Sequence, residues 1–260
     1  MSQKDAGLLQ KVLEDPLDYL PYSAILEYKK GHKIYGHDQP SSSVYLVIGG
    51  KVKVCRLTGD GRHVVLDIYQ SDEFFGESAF LGLSPRRTEM SVAIEKTKVM
   101  AWTTGQIEDI AERRPQLALA LLQLSVKRSL YFGERIESFS MDNISRRLAR
   151  ALLHFSERMG HEIEDGSVRM VAFTHELLGQ YVGTSREIVT QYMNQFRRQG
   201  YLDYSRKGIV LRPEMVRGWL TLEGQQRSRQ QPENEFAPTP LMARDSGYFE
   251  QRNGNVEMAR

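Results

Sequence analysis

Five polar side chains recur at helical spacing between residues 186 and 194, on the face opposite to a set of apolar residues. The polar set comprises Arg186, Glu187, Thr190, Gln191 and Asn194. The apolar set comprises Val189, Tyr192, Met193 and Phe196. Apolar residues at this spacing predict a helix with one buried face. Because the polar side chains match the hydrogen-bond patterns of base edges in the major groove, the opposite face is predicted to contact base pairs.

A shorter helix is predicted just before this one, with a glycine between the two. Its apolar face comprises Leu177, Leu178, Tyr181 and Val182. Gly183 permits a tight turn. The stretch from Thr184 to Glu187 is typical of a capping box, in which the Thr184 hydroxyl bonds the Glu187 amide. Two helices joined in this way predict a helix-turn-helix.

The residues after the second helix predict a β hairpin with a basic tip, because two strand-like runs flank a turn at residues 205–208. Residues 186–212 contain six Lys or Arg and two acidic residues, a net charge of +4, whereas the whole chain carries +2. Positive charge is therefore concentrated where DNA phosphates would lie. Beyond the face of the second helix, the predicted DNA contacts are Thr174, His175, Ser185, Arg206 and Lys207. The alternative is an ordinary two-helix packing unit whose arginines are solvated.

A second group of residues suited to binding lies between residues 74 and 88. A short helix starting at Gly76 would direct free backbone amides at an anion. Glu77 can accept hydrogen bonds from a sugar hydroxyl, and Arg87 can pair with a phosphate oxygen, with Thr88 as a further donor. The alternative is a turn in which Glu77 and Arg87 simply form an ion pair.

The elements that must position these two groups differ along the chain. Residues 33–102 contain short strand-like runs separated by glycine turns, which predicts a β barrel or roll. A long helix follows residue 106, and one of its faces lies close to a heptad seam. We expect this face to form a dimer interface through Leu117, Leu121, Leu124 and Tyr131. The alternative is packing of the same face against the β roll of its own chain.

Composition argues against several classes of protein. No apolar run approaches membrane-spanning length and the N-terminus lacks the apolar core of a signal peptide, so we expect a cytoplasmic chain without a membrane partner. The single cysteine, Cys55, allows neither an internal disulfide nor a four-thiolate cluster. His175 lacks the second histidine of a zinc-protease helix, and no nucleophile elbow or P-loop occurs. We therefore expect no catalytic residue, no metal and no haem.

Three separated motifs resemble those of the CRP–FNR superfamily of bacterial transcription regulators. They are FFGESAF with PRRTEMSVA, the strand run that ends in Gly49-Gly50-Lys51-Val52, and GTSREIVTQYMNQF. The resemblance implies an α+β fold with an N-terminal cyclic-nucleotide-binding-type β roll, a long dimerisation helix and a C-terminal winged helix-turn-helix domain. It also implies a homodimer that binds a two-fold symmetric site in double-stranded DNA, with RNA polymerase as a further partner if the protein is an activator.

The resemblance also assigns roles to the residues of the second group. Gly76 and Ser78 take positions of a phosphate-binding loop, and Glu77 takes that of the ribose partner. Arg87 and Thr88 take those of the clamp on the cyclic phosphate.

The long helix departs from the cyclic AMP receptors, because Phe132-Gly133 stands where they place a Thr-Ser pair against adenine. Phe132 can stack on a base but cannot donate the same hydrogen bonds. Arg128, one turn earlier, either faces the pocket or is a solvated charge. The expected effector is cyclic AMP or cyclic GMP, and the alternatives are cyclic di-GMP or no effector. From another functional class, the alternative is a nucleotide-binding signalling module that acts through protein partners.

We predict five segments along the chain. They are an N-terminal helical or irregular segment at 1–24, a β-roll sensor at 25–110, a dimerisation helix and hinge at 111–142, a winged helix-turn-helix domain at 143–223 and a disordered tail at 224–260. The hinge is expected near residues 138–143.

Overall fold

A computed structural model of the chain describes residues 14–36, 42–59, 61–81 and 89–230, with side-chain burial described up to residue 223. The backbone divides into two units, Met1–Leu220 and Thr221–Arg260. All of the contacts that follow lie within the first unit.

The described residues form twelve strands and six α-helices. The strands are β1 Ile25–Tyr28, β2 Lys33–Tyr35, β3 Ser43–Gly49, β4 Val52–Leu57, β5 His63–Tyr69, β6 Phe74–Phe75, β7 Glu89–Ala93, β8 Thr97–Thr103, β9 His161–Glu162, β10 Val168–Met170, β11 Leu202–Ser205 and β12 Gly208–Leu211. The helices are α1 Thr104–Arg113, α2 Gln116–Met141, α3 Ile144–Met159, α4 His175–Val182, α5 Arg186–Arg198 and α6 Pro213–Gln230. The order of N-terminal β sheets, one long helix and a C-terminal helix-turn-helix confirms the predicted α+β fold.

The first eight strands form two antiparallel four-stranded sheets, with the orders β1-β8-β3-β6 and β2-β7-β4-β5. Aromatic rings fill the space between them: Phe75 stacks on Tyr45 with 5.1 Å between ring centroids, and on Tyr69 with 5.7 Å. This packing holds β6, and with it the segment that follows Phe75, against the roll.

Local capping determines where the helices of the C-terminal part begin and end. The Asn143 side chain accepts a hydrogen bond from the Arg146 amide at 3.0 Å, and α3 stops before Gly160. Phe155 of α3 is fully buried and contacts the rings of Phe173 and Tyr181, with 4.8 and 4.7 Å between centroids. Behind α5, the last two strands form the predicted hairpin within a sheet of order β11-β12-β10-β9.

The face of α2 that we predicted to be the dimer interface packs against its own chain. Leu117 is fully buried in a core cluster of the roll, and Leu121 and Leu124 pack against the same cluster. Tyr131 packs against the core that contains Phe155. Packing on the roll was the alternative stated for this face, and the roll buries Leu117, while a dimer contact through the half-buried Leu121, Leu124 and Tyr131 stays a prediction.

The predicted tail is also corrected at its start. Helix α6 continues to Gln230, so residues 224–230 are helical rather than part of a disordered segment. Proline at the first position of α6 suits a helix start, because its fixed φ is helical and no amide donor is needed there. Residues 231–260 lie outside the described part of the chain.

Candidate functional site

A cavity of about 780 Å³ lies between the β roll and α2. Most of its wall is apolar, with side chains from both sheets and from the inner face of α2. Polar side chains enter at a few places, including Glu77, Ser78, Arg128 and Arg135. An apolar pocket with a few convergent polar groups is the usual form of a small-molecule site.

Gly76 and Ser78 shape one wall of the cavity. The backbone of Gly76 has φ +88°, and a Cβ there would lie 3.1 Å from the Ser43 carbonyl oxygen, so only glycine fits without strain. The predicted short helix is a 3₁₀ turn, Glu77–Leu81. The Ser78 hydroxyl is buried and has no hydrogen-bond partner among the described residues. Because burying such a group without a partner is costly, a bound ligand is a natural acceptor or donor for it.

Glu77 forms its ion pair with Arg128 of α2. Arg128 also donates to the Phe74 carbonyl and stands over the Tyr69 ring, 4.8 Å from its centroid. Burial raises the pKa of Tyr69 well above its ordinary value, so this phenol stays neutral. The side chain of Arg128 therefore faces the cavity rather than solvent, which the sequence left open. Arg87 and Thr88 lie outside the described residues.

Three further residues of α2 complete this side of the cavity. Phe132 lines it as predicted, whereas no motif in the chain singled out Arg135 or Phe139, which also line it. Helical spacing places all three on the inner side of α2. This periodicity was the one feature of the sequence that could have identified Arg135 and Phe139. The contacts of Arg135 and Phe139 with the helix-turn-helix join segments that are distant in the sequence, so no local pattern indicates them.

The helix-turn-helix consists of α4, a left-handed turn and α5. Gly183 has φ +74°, as its predicted role in a tight turn requires. The cap of α5 is Ser185 rather than Thr184, and its hydroxyl accepts from the Ile188 amide. Hydrogen bonds from its own amide and from Ser185 lower the pKa of Glu187, so this exposed carboxylate is ionised. The predicted capping box was therefore wrong: the cap lies one residue later, and Ile188 at the third helical position has no side-chain acceptor to complete a box.

Arg186, Glu187 and Gln191 are exposed on the outer face of α5, but Thr190 is half-buried. The Thr190 hydroxyl donates to the Arg186 carbonyl at 2.9 Å and lies 2.7 Å from His175 Nδ1. The His175 ring also meets Tyr204 of β11 edge-on, 5.3 Å between centroids. His175 and Thr190 thus fix α4, α5 and the hairpin together, a positioning role that the sequence did not indicate.

The hairpin presents its basic residues at the tip. Arg206 and Lys207 are both exposed, and the Lys207 amide donates to Ser205 Oγ at 3.1 Å. Thr174 caps α4 by accepting from the Leu177 amide at 3.1 Å. The exposed polar face of α5 and the basic tip together match the two parts of a DNA-reading surface, base contacts and phosphate contacts.

Membrane spans and metal clusters can be judged only for the part of the chain that the structure describes. No helix there is long and apolar enough to cross a membrane. No group of three or more His, Cys, Asp or Glu side chains is placed to hold a metal ion there.

Comparison with known proteins gives matches over both halves of the chain. Residues 25–114 match the model of the cyclic nucleotide-binding domain, and residues 146–217 match that of the Crp-like helix-turn-helix domain. Transcriptional regulator SdrP of Thermus thermophilus is 30% identical over 181 residues, which cover 68% of this chain and 84% of that protein. A CRP-like cAMP-activated global transcriptional regulator of Mycobacterium tuberculosis is 26% identical over 187 residues, which cover 72% of this chain and 83% of that protein. A solved CRP/FNR-family regulator, also from Thermus thermophilus, has 25% identity and a TM-score of 0.57, over 76% of this chain and 98% of its own.

Proposed function

We propose, because this chain belongs to the CRP–FNR superfamily of transcription regulators, that it binds a two-fold symmetric DNA site as a homodimer and responds to a cyclic nucleotide. The observation that carries the DNA-binding part is the exposed polar face of α5 beside a basic hairpin tip. Arg186 at the start of α5 suits bidentate bonds to guanine O6 and N7. Gln191 stands where the cyclic AMP receptors have a second arginine, so we expect that base position to shift toward adenine.

We expect Arg186→Ala to cost about 1–3 kcal/mol of binding free energy and to relax preference at one base position in each half-site. Arg206→Ala should weaken binding to all sequences alike, because a phosphate contact carries no sequence information. Fluorescence anisotropy with operator and scrambled duplexes, repeated over a range of salt concentrations, measures both effects. Equal losses on both duplexes for Arg186→Ala would contradict the proposed base contact.

For the dimer, we propose the outer face of α2, opposite to the face that packs on the roll. Its large apolar side chains are Val126 and Leu130, with exposed fractions of 50% and 67%, and Leu122, exposed by 59%, flanks them at the edge of the cavity. Leu122, Val126 and Leu130 follow each other at intervals of four along the helix, so they form one stripe. A stripe of this kind matches the seam of a coiled coil, which a second copy of α2 would cover. If the protein activates transcription, RNA polymerase is a further partner.

For the effector, we propose a cyclic nucleotide held in the cavity between the roll and α2. Support comes from the match of residues 25–114 to the cyclic nucleotide-binding domain and from the unpartnered Ser78 hydroxyl in the cavity wall. Gly76, Glu77, Arg128 and Phe132 would surround the ligand, with Arg87 and Thr88 on its phosphate. Because Phe132 replaces hydrogen-bonding residues, base preference between cyclic AMP and cyclic GMP would depend on stacking.

We expect Arg87→Ala to weaken binding of the cyclic nucleotide about ten- to a hundredfold, since it removes a charge-assisted phosphate contact. Phe132→Leu should alter the preference between cyclic AMP and cyclic GMP more than it alters affinity for the phosphate. Calorimetric titration with cyclic AMP, cyclic GMP and cyclic di-GMP measures these constants. Binding of none of the three to the unmodified protein would mean that the regulator is ligand-free or senses another molecule.

A further inference from the structure

Two residues of the cavity wall also hold the helix-turn-helix. Arg135 of α2 donates to the Tyr181 carbonyl of α4 at 2.9 Å and to the Val65 carbonyl at 3.3 Å, and it also bonds the Leu66 carbonyl. Its guanidinium stands over the Tyr181 ring, 4.1 Å from the centroid. Arg135 thus connects α2, β5 and α4, while part of its side chain faces the cavity.

Phe139, one turn further along α2, makes a second connection. Its ring lies so close to the turn between α4 and α5 that a Cβ at Gly183 would be 2.9 Å from Phe139 Cε1. The guanidinium of Arg147 stands over this ring, 4.9 Å from the centroid. The Phe139 side chain therefore lies between the cavity and the turn of the helix-turn-helix, and it contacts both.

A third set of contacts fastens α3 to the roll. Arg158 bonds Asp67 Oδ1 at 2.8 Å, the Glu73 carboxylate at 2.9 Å and the Ile68 carbonyl at 3.1 Å. Gln70 of the roll donates to the Arg158 carbonyl at 2.6 Å. Asp67 does not line the cavity and is almost fully buried. The DNA-binding part is therefore held on the roll at two places, one at the cavity wall and one remote from it.

We propose that Arg135 is a positioning residue that couples occupancy of the cavity to the orientation of the helix-turn-helix, a mechanism that rests on the function proposed above. Without ligand, Arg135 holds α4 on the roll in an arrangement of low DNA affinity. The phosphate of a cyclic nucleotide has two exocyclic oxygens, so one can pair with Arg87 while the other is offered to the Arg135 guanidinium. Because an ion pair between a guanidinium and a phosphate oxygen is stronger than the bond of the same guanidinium to a neutral carbonyl, Arg135 turns to the ligand and releases α4. The ligand acts by its different affinity for the two arrangements.

Ligand-free measurements separate this coupling from direct effects on ligand binding. Arg135→Gln keeps a polar side chain but removes the charge and most of the donors. Asp67→Asn weakens the Arg158 contact without touching the cavity, and it serves as the second variant if Arg135→Gln fails to fold. Glu157→Gln is the matched control, because Glu157 pairs with Arg217 at 2.8 Å, away from the roll. Amide hydrogen exchange of α4 and operator affinity are measured for each variant, without and with saturating cyclic AMP.

In the ligand-free state, Arg135→Gln should raise operator affinity about five- to a hundredfold, the usual range of allosteric coupling, and should speed amide exchange in α4. Its operator affinity should then respond little to cyclic AMP. Asp67→Asn should change operator affinity and α4 exchange in the same direction by a smaller factor, and Glu157→Gln should match the unmodified protein.

The coupling would be overturned if Arg135→Gln left both α4 exchange and ligand-free operator affinity unchanged. If Arg135→Gln does not fold, the same result for Asp67→Asn would overturn it. If no form of the protein binds DNA, the proposed function fails instead, while α4 exchange still decides whether Arg135 holds the helix.

Discussion

Replacing Val126 and Leu130 together by glutamate is expected to convert the protein to a monomer and to weaken operator binding by about a hundredfold or more. The two side chains are 50% and 67% exposed, and neither lines the cavity. In the proposed dimer each would be buried against a second α2, so four carboxylates would meet in an apolar seam. Burying unpaired charges costs far more than the seam gains, and the two half-sites would then bind independently.

Sedimentation velocity at micromolar concentration measures the oligomeric state, and anisotropy measures operator affinity. Leu57→Glu is the matched control, since Leu57 is also an exposed leucine, at 41%, but lies on β4 of the roll. It should leave the dimer intact. A dimer that survives both Val126→Glu and Leu130→Glu would show that another surface holds the two copies together.

Phe155→Ala is expected to lower the free energy of unfolding by about 3–5 kcal/mol, because it leaves a cavity at the centre of a packed core. Phe155 is fully buried between Phe173 and Tyr181. The same core contains residues of β5, including Val65 and Ile68. Phe155→Ala should therefore also weaken the packing of the roll against the helix-turn-helix.

Urea denaturation followed by circular dichroism gives the free energy of unfolding of each variant. The control is Tyr22→Ala, which removes an aromatic ring that is 79% exposed and should change that free energy by no more than about 0.5 kcal/mol. A loss below about 1 kcal/mol for Phe155→Ala would mean that the core relaxes around the missing ring.

Features that depend on a few neighbouring residues could be predicted from the sequence. The Asn143 cap, the left-handed turn at Gly183 and the hairpin that ends at Leu211 each follow from residue types within one or two turns. The cap of α5 was placed one residue too early, because Thr184 and Ser185 can both serve as caps, and only the backbone geometry selects between them.

Features that depend on distant segments could not be predicted in this way. Both faces of α2 are apolar, so periodicity did not show which face meets the roll and which remains exposed. Arg158 and Asp67 are 91 residues apart, and no local pattern pairs them. For the same reason Arg135 was not considered as a contact of α4, although it lies close to Phe132, which was predicted to face the cavity.

Selection of bound sites from random DNA duplexes tests the central claim most directly. We expect the recovered sites to contain two inverted half-sites about one helical turn apart, each with a guanine whose selection is lost in Arg186→Ala. Two-fold symmetry in the DNA would reflect the symmetry of the protein dimer. Recovered sites without such symmetry, or a preference that Arg186→Ala leaves unchanged, would contradict a dimeric regulator that reads DNA through α5.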